Sequence, residues 1–186
     1  LRRKLEAGSN SLMALPVAEA DGGLGGSGVD TMVVMEQIGC GLVLEPYLGS
    51  VIVPAALIKV AGSESQRAGL SEGLASGETI YAFAHTEPGQ RYERASVTMT
   101  AAAGGDGYVL SGKKVSVLGG DCADLLIVSA VVAGDAGASL FVVDAKAAGV
   151  KRLVYPMQDA QRGADIEFNN VKVGADALLG ERGKAQ

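Results

Sequence analysis

The residues best suited to chemistry cluster in one stretch, AFAHTEPGQRYE, at positions 82–93. It holds the chain's single histidine, His85, the carboxylates Glu87 and Glu93, and the pair Arg91 and Tyr92. A histidine can shuttle a proton, and a guanidinium is a good partner for phosphate. Each has a plainer reading. His85 ends an apolar run, where packing is the first expectation, a cofactor contact the main rival and a general base a distant third. No nucleophile elbow of the Gly-x-Ser-x-Gly type supports a hydrolase. Pro88 and Gly89 break the geometry between Glu87 and Glu93, so a shared acid–base pair is a weak reading. Glu87 instead reads as a turn residue that accepts from nearby backbone amides.

Other signals are weighed the same way. Gly23–Gly28 (GLGGSG) fits Gly-x-Gly-x-x-Gly literally. A dinucleotide fingerprint also needs a preceding strand and an acid about 20 residues on. Pro16 interrupts any such strand, so a glycine-rich loop entering a helix is expected. Lys113 and Lys114 fall in SGKKVS, read as a solvated hairpin corner. Cys40 and Cys122 belong to no CxxC or Cys/His cluster, so two reduced, buried thiols and no metal site are expected. Net charge is −5 with scattered basic residues, which argues against a nucleic-acid partner. No apolar run approaches the length of a membrane span, and no signal peptide is visible, so no membrane partner and a cytoplasmic location are expected.

The elements that must position these residues change character along the chain. Ser27 and Asp30, and again Ser63 and Gln66, have capping-box spacing. Val34, Met35, Ile38 and Leu42 follow the first box at helical intervals, and Gly39 and Gly41 mark its end. A second helix is expected near Pro46, kinked or divided at Pro54, and Gly77 closes a third. From Thr79 onward, short runs rich in Val, Leu, Tyr and Thr alternate with the turn signals GGDG, SGKK, GDAG and FNNV. Helices first and sheet second predict an α+β chain. The expected division is a helical amino-terminal domain over 1–78 and an antiparallel β-barrel or sandwich over 79–186.

Taken together, ALPVAEADGGLGGSGVDTMVVMEQIGCGLVLEPYLGS, AGSESQRAGLSEGLASGE, TEPG, DGYVLSGKKVSVLGGDCADLLIVSA, SLFVVDAKAAGV and IEFNNVKVGADALLGERG resemble, in order, the helical and middle β domains of the acyl-CoA dehydrogenase family. The resemblance implies FAD as cofactor and an acyl-CoA as substrate. It also implies oxidation to a 2,3-enoyl-CoA, by α-proton abstraction and β-hydride transfer to the flavin. An electron-accepting flavoprotein would take the electrons. Phe83, Ala84, His85 and Thr86 fall where the family's first loop touches the flavin. Ser116, Val117 and Leu118 fall in its second flavin segment. Where the family commonly has Gly-Ser beyond TEPGA, this chain has Arg91 and Tyr92, with Arg91 a candidate phosphate contact. Where it usually has Trp-Ile-Thr-Asn, this chain has Ser116, Val117, Leu118 and Gly119.

These departures, with EPYLGSV and YPMQDAQRGADI, are most similar to small subunits of two-gene members of the pimeloyl-CoA dehydrogenase type. A homo- or hetero-oligomer, such as a heterotetramer, is therefore implied. The family's catalytic glutamate lies in a carboxy-terminal helical domain beyond this stretch, so no catalytic residue is expected here. A structural subunit that has lost flavin binding is the alternative, and a flavin monooxygenase on the same architecture is a minor third.

Overall fold

The computed structural model describes residues 11–90, 93 and 96–185. Arg91 and Tyr92 lie outside the described residues.

The helical part runs from α1 (Ser11–Ala14) through α2 (Gly28–Cys40), a π-helical turn (Leu48–Ile52) and α3 (Val53–Ala61) to α4 (Glu64–Ala75). Both capping boxes form. The Ser27 hydroxyl accepts from the Asp30 amide while the Asp30 carboxylate accepts from the Ser27 amide at 2.8 Å. Ser63 and Gln66 repeat the exchange at the start of α4. Each box satisfies donors that a helix start otherwise leaves orphaned. Pro54 divides its helical stretch: the π turn precedes it, and Pro54 sits in the first turn of α3, where its missing N–H costs nothing. Gly77, at φ +73°, follows the end of α4. Leu42 departs from expectation. It lies past the end of α2 at φ +47° and is 83% exposed, because the helix stops at Cys40 before Leu42 can join its stripe. Cys40 is also exposed rather than buried, and both thiols are free.

The strands are β1 (Tyr81–Ala84), β2 (Thr100–Gly104), β3 (Gly107–Leu118), β4 (Leu125–Val132), β5 (Ala138–Asp144), β6 (Val150–Pro156), β7 (Arg162–Gly174) and β8 (Leu178–Leu179). They form one sheet in the order β6-β7-β3-β2-β4-β5-β8, with β1 pairing on β4. Most pairings are antiparallel; β1 and β2 each run parallel to β4. Alternation sends one side of the strands into each of two cores. Ala82, Ala84, Leu110, Val128, Phe141 and Ile166 meet inside the curled sheet. Tyr81, Ile127 and Leu140 pack instead against Val51, Ile58 and Leu74 of the helical part. Among the described residues, no helix is long and apolar enough to cross a membrane.

Two expected turns are strand interiors. SGKK lies within the continuous β3, and FNNV within β7. Gly112 caused the first misreading. Its φ is +152°, and a Cβ there would come within 2.7 Å of the Met99 side chain, so this glycine marks a close approach inside a strand. Asn170, at φ +51°, absorbs a register shift opposite Leu110–Gly112, a bulge rather than a turn.

Candidate functional site

β1 ends at Ala84, and the chain continues through His85 and Thr86 into the Glu87–Gln90 bend. Two devices tie this bend to β3. The Val115 amide donates to the Thr86 carbonyl at 2.8 Å. Beneath that bond, the Lys114 ammonium donates to the Glu87 carboxylate at 2.7 Å, the His85 carbonyl at 3.0 Å and the Ser129 hydroxyl at 3.0 Å. Lys114 is therefore no hairpin corner. Its side chain is 0% exposed, and that of Glu87 is 6% exposed. The reason is parity: Leu110, Gly112 and Lys114 share one face of a single strand, and that face points inward.

All three ammonium hydrogens have acceptors, which a buried cation requires. Glu87 also accepts from the Met99 amide at 3.0 Å, the Thr98 amide at 2.9 Å and the Thr98 hydroxyl. It is thus an amide-binding residue, as expected, and an ion-pair partner as well. Burial pushes its carboxyl up, but the hydrogen bonds from Lys114, Thr98 and Met99 outweigh this and bring it down to about 2. Burial lowers Lys114 from the ordinary lysine value, opposed by the Glu87 charge. Glu87 is therefore ionised at neutral pH, and three acceptors, one of them a carboxylate, suit Lys114 as the ammonium. Glu93 takes no part in it; the Glu93 carbonyl accepts from the Gln90 side chain, which also bonds the Glu87 amide and the Ser96 carbonyl.

Above this anchor lies a partly open surface. The His85 ring stacks on Phe83 with centroids 5.2 Å apart, and its Nδ1 lies 2.9 Å from the Ser129 hydroxyl. Thr86 and Ser116 are exposed on either side of the Thr86–Val115 bond. Ser116 owes its exposure to a bulge. Lys114 pairs with Ile166 and Val117 with Ala164, so β3 carries one extra residue, with Ser116 at φ +54°. Such bulges re-aim a side chain at the cost of local strain. Ala84 and Val117 face the inner core, leaving only their main chain for a ligand. Leu118 packs against the helical part, where a Cβ on Gly49 would lie 2.7 Å from its own. Gly119, at φ +69°, abuts Ser50 in the same seam.

The structure thus brings Phe83, His85 and Thr86 together with Ser116 from a distant part of the sequence. Lys114 and Ser129 are the residues that sequence reasoning missed. Strand parity through Gly112 could have found Lys114, and its burial would have demanded Glu87 as partner. Nothing in the sequence marks Ser129. The arrangement fits a planar group with a polar edge: exposed hydroxyls at Thr86 and Ser116 and an aromatic-backed imidazole. No group of three or more metal-ligating side chains occurs among the described residues. The Gly23–Gly28 segment is a loop leading into capped α2, with no strand before it.

The fold is shared with known proteins. Residues 3–78 match the acyl-CoA dehydrogenase N-terminal domain, and residues 82–171 match the acyl-CoA dehydrogenase middle domain. The rat mitochondrial long-chain specific acyl-CoA dehydrogenase is 32% identical over 96% of this chain and 44% of its own length. The ChsE4–ChsE5 complex of Mycobacterium tuberculosis superposes with a TM-score of 0.81 at 28% identity, over 96% of this chain and 46% of that one. A glutaryl-CoA dehydrogenase from Mycobacterium smegmatis, solved with FADH2, matches with a TM-score of 0.63 at 25% identity, over 70% of this chain and 36% of its own. The chain therefore spans less than half the length of these relatives. With both domain signatures in sequence order on the expected helical and β parts, the chain belongs to the acyl-CoA dehydrogenase family.

Proposed function

We propose that this chain supplies the amino-terminal and middle domains of an FAD-dependent acyl-CoA dehydrogenase that converts an acyl-CoA to a 2,3-enoyl-CoA. The observation that carries the reading is the Val115–Thr86 hydrogen bond. It joins the two segments that the family resemblance assigns to the flavin, and the buried Lys114–Glu87 pair holds it in place. Phe83, His85, Thr86 and Ser116 would line the flavin with side chains, and Ala84, Val117 and Leu118 with main chain. Arg91 and Tyr92 would complete the loop. When bound, the flavin supplies the hydride acceptor for the β-carbon. This chain's own task is to hold the ring rigidly and keep water from one side of it, since alignment of the reacting atoms governs the rate. Glu87 is not free to take the α-proton, since it is already committed to Lys114, Thr98 and Met99.

A division at 78/79, between α4 and β1, and a cytoplasmic oligomer, homomeric or paired with an unlike chain, fit the reading. The ChsE4–ChsE5 complex shows a relative that assembles from two chains. The second reading, a structural subunit without flavin, draws on Leu118: its side chain is spent on packing against Gly49. The absorbance spectrum of the full-length protein, purified with and without its partner, decides between the two. Flavin bands that vanish when the Thr86 side chain is enlarged support the first, and a colourless protein in both preparations supports the second.

A further inference from the structure

The buried network fixes which way every one of its hydrogen bonds runs, and this has a consequence for His85. Lys114 carries three hydrogens and meets three acceptors, so it donates to the Ser129 hydroxyl oxygen. Ser129 is 2% exposed, and the partners of its hydroxyl among the described residues are Lys114 and His85 Nδ1. Having accepted from Lys114, the hydroxyl places its one hydrogen on Nδ1 at 2.9 Å. If Nδ1 carried a proton instead, Ser129 would accept twice and its own buried hydrogen would have no acceptor, a costly arrangement.

We infer that Ser129 and Lys114 are positioning residues that hold the neutral His85 ring in its Nε2–H tautomer, making it a fixed hydrogen-bond donor and not a base. Phe83 sets the ring plane by stacking at an interplanar angle of 16°, and Ser129 sets the ring's rotation within that plane. The tautomer follows from the direction of the Ser129 hydrogen bond. Its use rests on the flavin-loop reading: there, Nε2–H is the donor that His85 offers to acceptor atoms of the bound ring's polar edge.

Long-range 1H–15N spectra of the full-length protein without flavin, carrying 15N-labelled histidine, read the tautomer directly. A His85→Gln variant assigns the signal. The expected result is a protonated Nε2 and a hydrogen-bonded, unprotonated Nδ1. In Ser129→Ala the hydrogen-bond shift at Nδ1 disappears and the preference for Nε2–H falls about tenfold; Ser129→Thr, which keeps the hydroxyl, restores both. A wild-type protein with its proton on Nδ1 overturns the inference whether or not the variants fold, and so does a Ser129→Ala spectrum identical to wild type. FAD titration of His85→Phe, which keeps the stack and deletes the donor, tests the flavin use separately. Unchanged affinity there sinks that use and leaves the tautomer result standing.

Discussion

Replacing Lys114 with methionine removes the ammonium and keeps most of the buried stem. Glu87 is then left as a carboxylate with a 6% exposed side chain, still bonded to Thr98 and Met99 but with no counter-charge. The magnitude can be approached twice. Bringing the Glu87 carboxyl from its ordinary 4.5 to about 2 corresponds to about 3 kcal/mol, at roughly 1.4 kcal/mol per pH unit, shared among Lys114, Thr98 and Met99 and net of the cost of burial, with Lys114 the largest of the three. Removing one partner of a buried ion pair costs about 3–5 kcal/mol. Both figures are a large share of the roughly 5–15 kcal/mol that holds a typical domain folded. Lys114→Met is therefore expected to destabilise by about 3–4 kcal/mol, read as a lower urea midpoint with an unchanged slope. The double variant Lys114→Met with Glu87→Gln carries no buried charge, and the glutamine carbonyl can still accept from the Met99 or Thr98 amide. It should recover at least about 2 kcal/mol of the loss. A single-variant loss below about 1 kcal/mol, or two losses that simply add in the double variant, would show that the ion pair does not anchor the bend.

The same pair gives an acid signature. Because Glu87 is depressed in the folded protein, its stabilisation is complete above about pH 4.5 and is lost as pH falls toward 2. Urea midpoints measured down that range should drop more steeply in wild type than in Glu87→Gln; parallel curves would contradict the assignment. Ser116→Gly should stabilise the chain by roughly 1 kcal/mol, since glycine accepts φ +54° without strain, and Ser116→Val should destabilise it. Equal thermal midpoints for both would mean the bulge stores no strain. Gly119→Ala should cost more than about 2 kcal/mol, because it combines φ +69° with a Cβ that meets Ser50 Oγ. Shortening the obstacle with Ser50→Ala should return part of that loss, and no recovery would place the cost elsewhere.

Much of the fold was legible because local rules and tertiary packing agreed. Ser27–Asp30 and Ser63–Gln66 announced their helices through cap chemistry, and Pro54 divided its helix as a residue without an N–H must. The runs around Phe83, Ile127 and Phe141 announced strands by composition. Legibility failed where glycine or asparagine served a strand rather than a turn. Gly112 gives Met99 room, and Asn170 absorbs a bulge, yet in sequence both look like punctuation. That error split β3 in two and put Lys114 in solvent, which hid the ion pair. Leu42 failed differently: it continues a helical interval that the backbone has already left. The pairing of the His85–Thr86 loop with the Val115–Ser116 bulge could be anticipated only from the family resemblance, since no local pattern links residues so far apart in the chain. Ser129 was invisible for a simpler reason. A lone serine in an apolar strand carries no signal until its neighbours are known.

The central claim is that the Thr86 bend and the Ser116 bulge form one wall of a flavin site. The FAD-to-protein ratio of full-length Thr86→Trp, purified alongside wild type, tests it most directly. Thr86 is exposed, so a bulky side chain can be accommodated without disturbing the core. Bound flavin in wild type, with a loss of at least about tenfold in the variant at an unchanged urea midpoint, is the predicted result. Full flavin occupancy in Thr86→Trp would place the cofactor somewhere other than this wall.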